Sequence, residues 1–182
     1  MGGGQNFYQM TFEEYPLHDS IRGWFGRALY FEMQKNPDIY LISADLGYKL
    51  WDLHQRDFPD RFYNVGASEQ CAAGIGVGLA LSGKIPFVFS ITTFLIYRAF
   101  EWHRNYLNHE KIPVRLIGSG YEDDYKHDGV THQPYGLFGM DGLLETQLWN
   151  IEHYFPEVKE KIPISVRRMI EENKPAFMCL RR

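Results

Sequence analysis

The chain contains 182 residues, of which 45% are hydrophobic, and carries a formal net charge of −4 at neutral pH. This length predicts one domain with one substantial core, and the scattered basic residues exclude the concentrated positive surface of a nucleic-acid-binding protein. No apolar run reaches the about 18 residues of a membrane span, and no basic-then-apolar signal opens the sequence. Cys71 and Cys179 fall in apolar surroundings, which predicts buried, reduced thiols and a cytoplasmic location.

The sequence predicts a short N-terminal arm followed by a single domain. Residues 1–18 show no sustained period and are predicted to form an N-terminal arm, with a single domain over residues 19–182. The domain opens with apolar residues at helical spacing that continue to Asn36. This pattern predicts a first helix that is capped by Asp19 or Ser20.

The first predicted strand is followed by a candidate ligand contact. The run Ile39–Ile42 is apolar throughout, which is typical of a strand that is covered on both faces of a parallel sheet. SADLG, residues 43–47, marks its carboxyl end, the edge where doubly wound sheets bind ligands. Asp45 therefore stands where a ligand contact is expected. Alternatively, Asp45 caps a short helix predicted between Trp51 and Asp57.

One carboxylate stands out in the middle of the chain. Glu69 opens a helix that is otherwise rich in small and apolar residues, predicted from Ser68 to Ser82 and closed by Gly83. Desolvation there disfavours the charged form unless a partner stabilises it, and such a group is suited to sharing a proton. The alternative is that Ser68 caps the helix and Glu69 only complements the helix dipole.

Three glycines in the same helix imitate a dinucleotide-binding motif. Gly74, Gly76 and Gly78 spell G-x-G-x-G, but the dinucleotide fingerprint places its glycines in the turn directly after a strand. Here they lie at least one turn inside the helix, where each destabilises it by roughly 1 kcal/mol. We expect them instead to allow close approach of another backbone, such as a twin helix across a dimer interface.

The next predicted helix, over residues 93–108, carries a pair of aromatic residues. Phe94 and Tyr97 share one face of its first turns and are directed toward the carboxyl edge of the sheet. Aromatic residues at helical spacing are alternatively core residues. The charged residues that follow are predicted to form solvated or interface ion pairs without a catalytic role: Arg98, Glu101 and Arg104.

A long polar segment, residues 119–136, is typical of a functional loop on a rigid scaffold. Within it, His127, Asp128 and His132 resemble part of a metal site. No further ligand recurs at a usable spacing, so we predict that this chain binds no metal.

The remaining elements complete the fold prediction. A further helix begins at Pro163, which suits the first helical position. Alternation of strands and helices predicts an α/β fold: a doubly wound, mostly parallel six-stranded sheet with helices on both faces. The other predicted strands are residues 62–65, 86–91, 114–118, 151–154 and 176–180.

Four motifs in one order resemble the pyrimidine-binding domain of the transketolase family, which includes 1-deoxyxylulose-5-phosphate synthase. These motifs are RFYNVGASEQ, GLALSGKIPF, TTFLIYRAFEWHR and HDGVTHQP, and the likeness extends to SADLG and the closing PAFMCLRR. It covers the chain from about residue 21 onward. The resemblance implies the thiamine diphosphate-binding fold and thiamine diphosphate as the cofactor.

The resemblance assigns cofactor contacts to four residues. It implies that Glu69 hydrogen-bonds a ring nitrogen of the cofactor's aminopyrimidine and so promotes loss of the thiazolium proton, a catalytic role. Phe94 or Tyr97, or both, would stack on that ring. Asp45 would lie near the cofactor and the subunit interface.

The resemblance also assigns substrate contacts. Asp128 would contact a hydroxyl of the donor, and His132 would assist binding or proton movement. Arg22 and Arg182 match arginines that contact the substrate phosphate. One departure is Gly120, where transketolases carry a further histidine, so a conventional ketose phosphate donor does not follow from the motif.

The motif that holds the diphosphate and the metal in this family, GDG followed by a distant Asn, is missing from the sequence. The resemblance therefore implies a split enzyme, in which a partner chain binds the diphosphate and Mg²⁺ or Ca²⁺. Two chains of each kind would assemble as an α2β2 heterotetramer that acts on sugar-like substrates. The alternatives are a subunit of a 2-oxo acid decarboxylase or dehydrogenase, against which DGVTHQP argues, and a non-catalytic partner-binding module.

Overall fold

The fold is described from a computed structural model. The structure describes residues 10–12, 14–16, 18–121, 123–133 and 139–181. Arg182 and most of the predicted N-terminal arm lie outside the described residues.

Six strands form a single sheet, and each lies within one residue of its predicted bounds. They are β1 (Ile39–Ser43), β2 (Phe62–Asn64), β3 (Ile85–Ile91), β4 (Arg115–Ser119), β5 (Glu152–Tyr154) and β6 (Ala176–Leu180).

The strand order is β2-β1-β3-β4-β6-β5, and every pair is parallel. The register places Ile42 of β1 opposite Tyr63 on one side and Val88 on the other. From β1 the chain moves outward to β2 and then crosses back to β3. The order therefore reverses between β1 and β3, and ligands bind at the carboxyl ends of the strands that flank such a switch point.

Seven α-helices and one π-helical segment connect the strands among the described residues. They are α1 (Ile21–Lys35), α2 (Asp52–Asp57), α3 (Glu69–Leu81), α4 (Thr92–Arg98), α5 (Phe100–Trp102), the π-helical segment His103–His109, α6 (Gly139–Gln147) and α7 (Ile162–Glu171). The helix predicted over residues 93–108 is thus divided into three segments, and α6 is an element that the sequence did not predict. Within the described part of the chain, no helix has the length and apolar character to cross a membrane.

Helices cover both faces of the sheet, which confirms the predicted α/β fold. Alternate strand residues separate two cores. Phe87 and Phe89 of β3 pack with α1 and α7 on one face. Val88 packs with α3, α4 and α6 on the other face. α3 and α4 therefore lie on the same face and begin at the same edge of the sheet.

The start of α1 follows its sequence signal. Ser20 is the N-cap residue, and its side chain accepts a hydrogen bond from the Gly23 N–H at 3.1 Å. This bond satisfies one of the donors that a helix start leaves open.

Two of the three glycines of α3 pack against side chains of their own chain. A Cβ at Gly76 would lie 2.8 Å from a methyl carbon of Val88, and one at Gly74 would lie 3.2 Å from the Trp102 ring. These two glycines allow α3 to pack within its own chain, so an inter-chain contact is not needed to explain them. Gly78 has open space. The predicted burial of Cys71 is wrong because this thiol is exposed, whereas Cys179 is buried.

A buried histidine lies beneath α1. The His54 ring is fully buried and makes edge contacts with Trp51 at 5.0 Å and Tyr30 at 5.5 Å between ring centroids. Burial lowers the pKa of His54 from 6.5 to about 3, because the apolar surroundings disfavour the imidazolium. His54 is therefore neutral in the folded chain at neutral pH.

Acidification is predicted to destabilise the folded chain through His54. Below pH 6.5 the unfolded chain takes up a proton that the folded chain refuses down to a pH of about 3. The free energy of unfolding therefore decreases as the pH is lowered through this window, by up to about 1.4 kcal/mol per pH unit for one group. The free energy of unfolding can be measured by urea denaturation at several pH values in this window. Its change per pH unit should be smaller for His54→Leu than for wild type, whereas the exposed-site control His109→Asn should match wild type. The same pH dependence of stability in wild type and His54→Leu would contradict the prediction that buried His54 stays neutral in the folded chain.

Candidate active site

The carboxylate of Glu69 is buried at the first position of α3. Its side chain is 2% exposed. The Ser90 hydroxyl donates to Oε1 at 2.9 Å, and the Arg98 guanidinium donates to Oε2 at 2.7 Å. Ser68 is the N-cap residue but makes no side-chain capping bond. Glu69 lies in the first turn of α3, where it complements the helix dipole as the alternative expects, and its burial and two donors are additional to that role.

The two donors reach Glu69 from different places. Ser90 lies on β3 and is itself 1% exposed, whereas the Arg98 side chain is 47% exposed at the end of α4. Charge-assisted bonds of this kind stabilise a buried carboxylate that would otherwise be costly to desolvate. Arg98 forms an ion pair as predicted, but its partner is the buried Glu69 and only the arginine side of the pair is solvated. Arg104 and Glu101 do form an exposed ion pair, with an N–O distance of 3.1 Å.

Phe94 connects Glu69 to the polar loop. The Arg98 guanidinium carbon lies 3.8 Å from the centroid of the Phe94 ring, and the His132 ring centroid lies 4.6 Å from it at an interplanar angle of 61°. Phe94 is partly exposed and Tyr97 is 39% exposed. The alternative that these two aromatic residues form the core is wrong, because Leu95 and Ile96 fill the core positions of α4.

The loop residues lie on two short 3₁₀ turns, Lys126–Asp128 and Val130–His132. The His132 Nδ1 atom lies 3.1 Å from the Thr131 hydroxyl, and the His132 ring faces both Phe94 and Tyr125. Asp128 is exposed on the preceding turn. The described residues include no group of three His, Cys, Asp or Glu side chains arranged to hold a metal ion.

Asp45 lies at the carboxyl end of β1, beside the switch point of the sheet. It adopts a left-handed conformation with φ of 50°, and its N–H donates to the Asn64 side-chain oxygen at 3.2 Å. Helix α2 follows Trp51 without a side-chain cap, so the alternative that Asp45 caps this helix is wrong. Left-handed backbone at a non-glycine residue is strained, and such residues concentrate at functional sites.

Arg22 lines a cavity of about 370 Å³ between the start of α1 and the loop after β1. Its guanidinium donates weakly to the Tyr125 hydroxyl at 3.4 Å and to the Ser119 hydroxyl at 3.5 Å. Lys49 and His18 also line this cavity, and none of its lining residues is acidic. The positive end of the α1 dipole points to the same place. The cavity is therefore suited to an anionic group.

Gly120 explains the shape of the loop beside this cavity. It adopts φ of 82°, and a Cβ there would lie 2.2 Å from the ring of Tyr125. Any other residue at position 120 would displace this ring. Tyr125 therefore fills space that a side chain at position 120 would need.

A larger cavity of about 410 Å³ lies at the carboxyl ends of β5 and β6. Its lining includes Tyr121, Phe155 and Arg181, but none of the predicted site residues. Arg181 there is engaged with Asp124 at 3.7 Å. We place the candidate site instead around Glu69, where a buried acid, an aromatic ring and a histidine come together.

The structure brings together some of the predicted site residues and adds others. Glu69, Phe94 and His132 form a row in which Arg98 bridges Glu69 to Phe94 and Phe94 contacts His132, whereas Asp128 and Tyr97 are exposed. Sequence reasoning missed Ser90, Arg98, Lys49 and Tyr125 as parts of the site. A signal for Lys49 was its place two residues after Gly47 in the loop that follows β1; no local signal marks Ser90.

Comparison with known proteins gives one consistent result. A sequence profile of the family described as "Transketolase, pyrimidine binding domain" matches residues 20–182. Over 118 residues the chain is 31% identical to a "Putative transketolase C-terminal section" from Methanocaldococcus jannaschii, which covers 64% of this chain and 37% of that protein. Over 161 residues it is 30% identical to 1-deoxy-D-xylulose-5-phosphate synthase from Clostridium botulinum, which covers 86% of this chain and 25% of the synthase. The chain thus spans well under half the length of these relatives.

Solved structures agree with the sequence comparison. A protein described as "Split gene transketolase, inactive beta4 tetramer" superposes with a TM-score of 0.76 at 28% identity, over 90% of this chain and 51% of that chain. Transketolase from Leishmania mexicana superposes with a TM-score of 0.74 at 20% identity, over 93% of this chain and 27% of that chain, a likeness of fold alone. The family resemblance and the predicted fold are confirmed.

The bond from Ser90 to Glu69 generates a stability prediction. Ser90→Ala leaves the buried Oε1 atom without its donor, which should lower the free energy of unfolding by about 1–3 kcal/mol. Ser82→Ala is the matched control, because the Ser82 hydroxyl bonds the Gly78 carbonyl oxygen at the exposed end of α3. Its effect should stay within about 0.5 kcal/mol. Equal urea midpoints for the two variants would show that Ser90 does not hold Glu69.

Proposed function

Because the chain belongs to the transketolase pyrimidine-binding domain family, we propose that it supplies the pyrimidine-binding half of the active site of a transketolase-like transferase. Family membership implies the use of thiamine diphosphate. The reaction is the transfer of a two-carbon ketol, or a related acyl-anion unit, between sugar-like substrates. The observation that carries the proposal is the buried carboxylate of Glu69, held at the carboxyl edge of the sheet beside a partly exposed aromatic ring.

The residues present fit the aminopyrimidine part of the cofactor. Such a ring needs an acid that shares a proton with its ring nitrogen and an apolar surface on which to stack. Glu69 and Phe94, which both contact Arg98, supply these two groups. Tyr97 and Asp45 are proposed as further contacts to the cofactor. When bound, thiamine diphosphate supplies the carbon acid that takes up and passes on the acyl-anion unit.

Glu69 is the proposed catalytic acid–base group. Its burial places it in a low-dielectric environment, which strengthens a hydrogen bond to a ring nitrogen relative to the same bond in water. Ser90 fixes the orientation of the carboxylate from inside the sheet. His132 contacts the Phe94 ring and is the proposed group that assists substrate binding or proton movement, and Asp128 is the proposed contact to a donor hydroxyl.

A partner chain is proposed to complete the site. Mg²⁺ or Ca²⁺ and the diphosphate are proposed to be bound by that partner in an α2β2 assembly. A similar structure is described as an inactive β4 tetramer of a split-gene transketolase, which supports self-association together with activity that depends on a partner. The free thiols of Cys71 and Cys179 agree with a reducing compartment such as the cytoplasm.

The anionic end of the substrate is proposed to bind in the cavity at the start of α1. Arg22 and Lys49 line this cavity, and a guanidinium recognises a phosphate by paired hydrogen bonds. Tyr125 connects the cavity to His132, since the two ring centroids lie 6.2 Å apart. A sugar-like substrate would then lie with its anionic end at Arg22 and its reacting end toward Phe94. Arg182, the second proposed phosphate contact, lies outside the described residues.

Loss of the carboxylate tests the catalytic proposal. In the complex with its partner, Glu69→Gln should lower the rate of ketol transfer at least about 100-fold, because the amide cannot exchange a proton. Glu101→Gln, an exposed change on α5, should retain wild-type activity and assembly. The assay uses thiamine diphosphate, Mg²⁺, a ketose donor and an aldehyde acceptor. Full activity of Glu69→Gln would refute the catalytic role.

Substitution of Arg22 tests whether this cavity binds the anionic end of the substrate. Arg22→Ala should raise the KM for a phosphorylated donor about tenfold or more and change kcat less, because it removes binding that ground state and transition state share. Lys35→Ala at the opposite end of α1 is the control, since Lys35 pairs with the nearby Glu32. A donor without phosphate should show little difference between the two variants. Equal KM increases for both donors would argue against an anion site at Arg22.

A further inference from the structure

Both oxygens of Glu69 are already bonded inside the chain. Ser90 lies on β3 and donates to Oε1 from the interior. Arg98 reaches Oε2 from the solvent side, with 47% of its side chain exposed. The oxygen that faces an incoming ligand is therefore the one that Arg98 covers.

The same guanidinium also covers the aromatic surface of the site. It lies 3.8 Å from the centroid of the Phe94 ring, while the His132 ring contacts Phe94 at 4.6 Å. A guanidinium is planar, carries N–H donors and stacks on aromatic faces. Arg98 thus already occupies the two positions that an aminopyrimidine ring would take: it stacks on Phe94 and is hydrogen-bonded to Glu69.

We infer that Arg98 is a positioning residue that holds Glu69 in place of the cofactor's ring and turns away when the ring binds. This inference rests on the proposed function. Arg98 orients and neutralises the carboxylate before binding, and its departure frees the Phe94 face and the Oε2 atom in one movement.

The exchange is physically feasible because one hydrogen bond replaces another. A buried carboxylate without a partner is strongly destabilising, so Glu69 cannot simply be exposed to an empty site. The half-exposed Arg98 regains water when it leaves, and a proton taken up from solvent is then shared between Oε2 and the ring nitrogen, which accepts the hydrogen bond. The binding-competent state is the fraction of molecules in which Arg98 has turned away, and a small fraction weakens the apparent affinity in proportion.

The test compares two arginine removals on neighbouring turns. Arg98→Met keeps an unbranched side chain but cannot bond Glu69, and Arg104→Met removes an exposed cation that pairs with Glu101. The probe is 4-amino-5-hydroxymethyl-2-methylpyrimidine, the ring without the diphosphate, titrated into the full chain and followed by NMR. Urea denaturation of the same samples gives their stability.

Arg98→Met is expected to raise the affinity for the ring and to lower the stability of the fold. Arg98→Met should bind the ring about fivefold to tenfold more tightly than wild type, because the competing cation is gone. It should also unfold at lower urea, because the buried carboxylate has lost its counter-ion. Arg104→Met should match wild type in ring affinity. A merely structural role for Arg98 would lower stability and affinity together.

The other outcomes distinguish failure of the inference about Arg98 from failure of the proposed function. Weaker or equal ring binding by Arg98→Met, with wild type and Arg104→Met binding normally and Glu69→Gln failing to bind, overturns the role of Arg98 and leaves the proposed function intact. No ring binding by wild type or by Arg98→Met overturns the proposed function, and the inference with it. An unchanged urea midpoint for Arg98→Met shows that the ion pair does not hold Glu69 and overturns the inference on its own.

Discussion

A buried carboxylate that must never lose its hydrogen-bond donors is the constraint on which this site depends. Glu69 is 2% exposed, and a charge at such a depth persists only when it is paired. The chain meets this requirement with two unlike donors. Ser90 is a fixed part of the sheet, whereas Arg98 is a long side chain whose end reaches solvent. A buried acid can be stable in the free chain and still available to a ligand only if one of its donors is replaceable.

The topology of the sheet brings these groups together. β2 leads into α3, and β3 leads into α4, so both helices begin at the carboxyl edge and cover the same face. The first turn of α3 therefore lies near α4, and Glu69 meets both the end of β3 and a side chain of α4. This place adjoins the reversal of strand order between β1 and β3, which is where the architecture itself leaves a crevice.

Sequence patterns predicted the elements and part of the site, for reasons that particular residues show. The strands were readable because apolar runs such as Ile39–Ile42 are bounded by turn residues, and Glu69 was readable because it is a lone charge in an apolar helix. Helix α6 was missed because its first residues, Gly139 to Gly142, have the composition of a turn. The bond from Arg98 to Glu69 joins residues on different helices, and it depends on the packing of α3 against α4, which no local period encodes.

The anion cavity shows how a changed residue can keep the character of a site. The resemblance predicts a histidine where this chain has Gly120, and the structure fills that space with the ring of Tyr125. The Tyr125 hydroxyl lies 2.9 Å from the Ser119 hydroxyl and within weak bonding distance of Arg22. A phenol offers hydrogen bonds without adding charge, so the positive charge of the cavity comes from Arg22 and Lys49 at its wall. The middle of the site is thereby suited to neutral hydroxyls, and the charge is concentrated at the end where a substrate anion would bind.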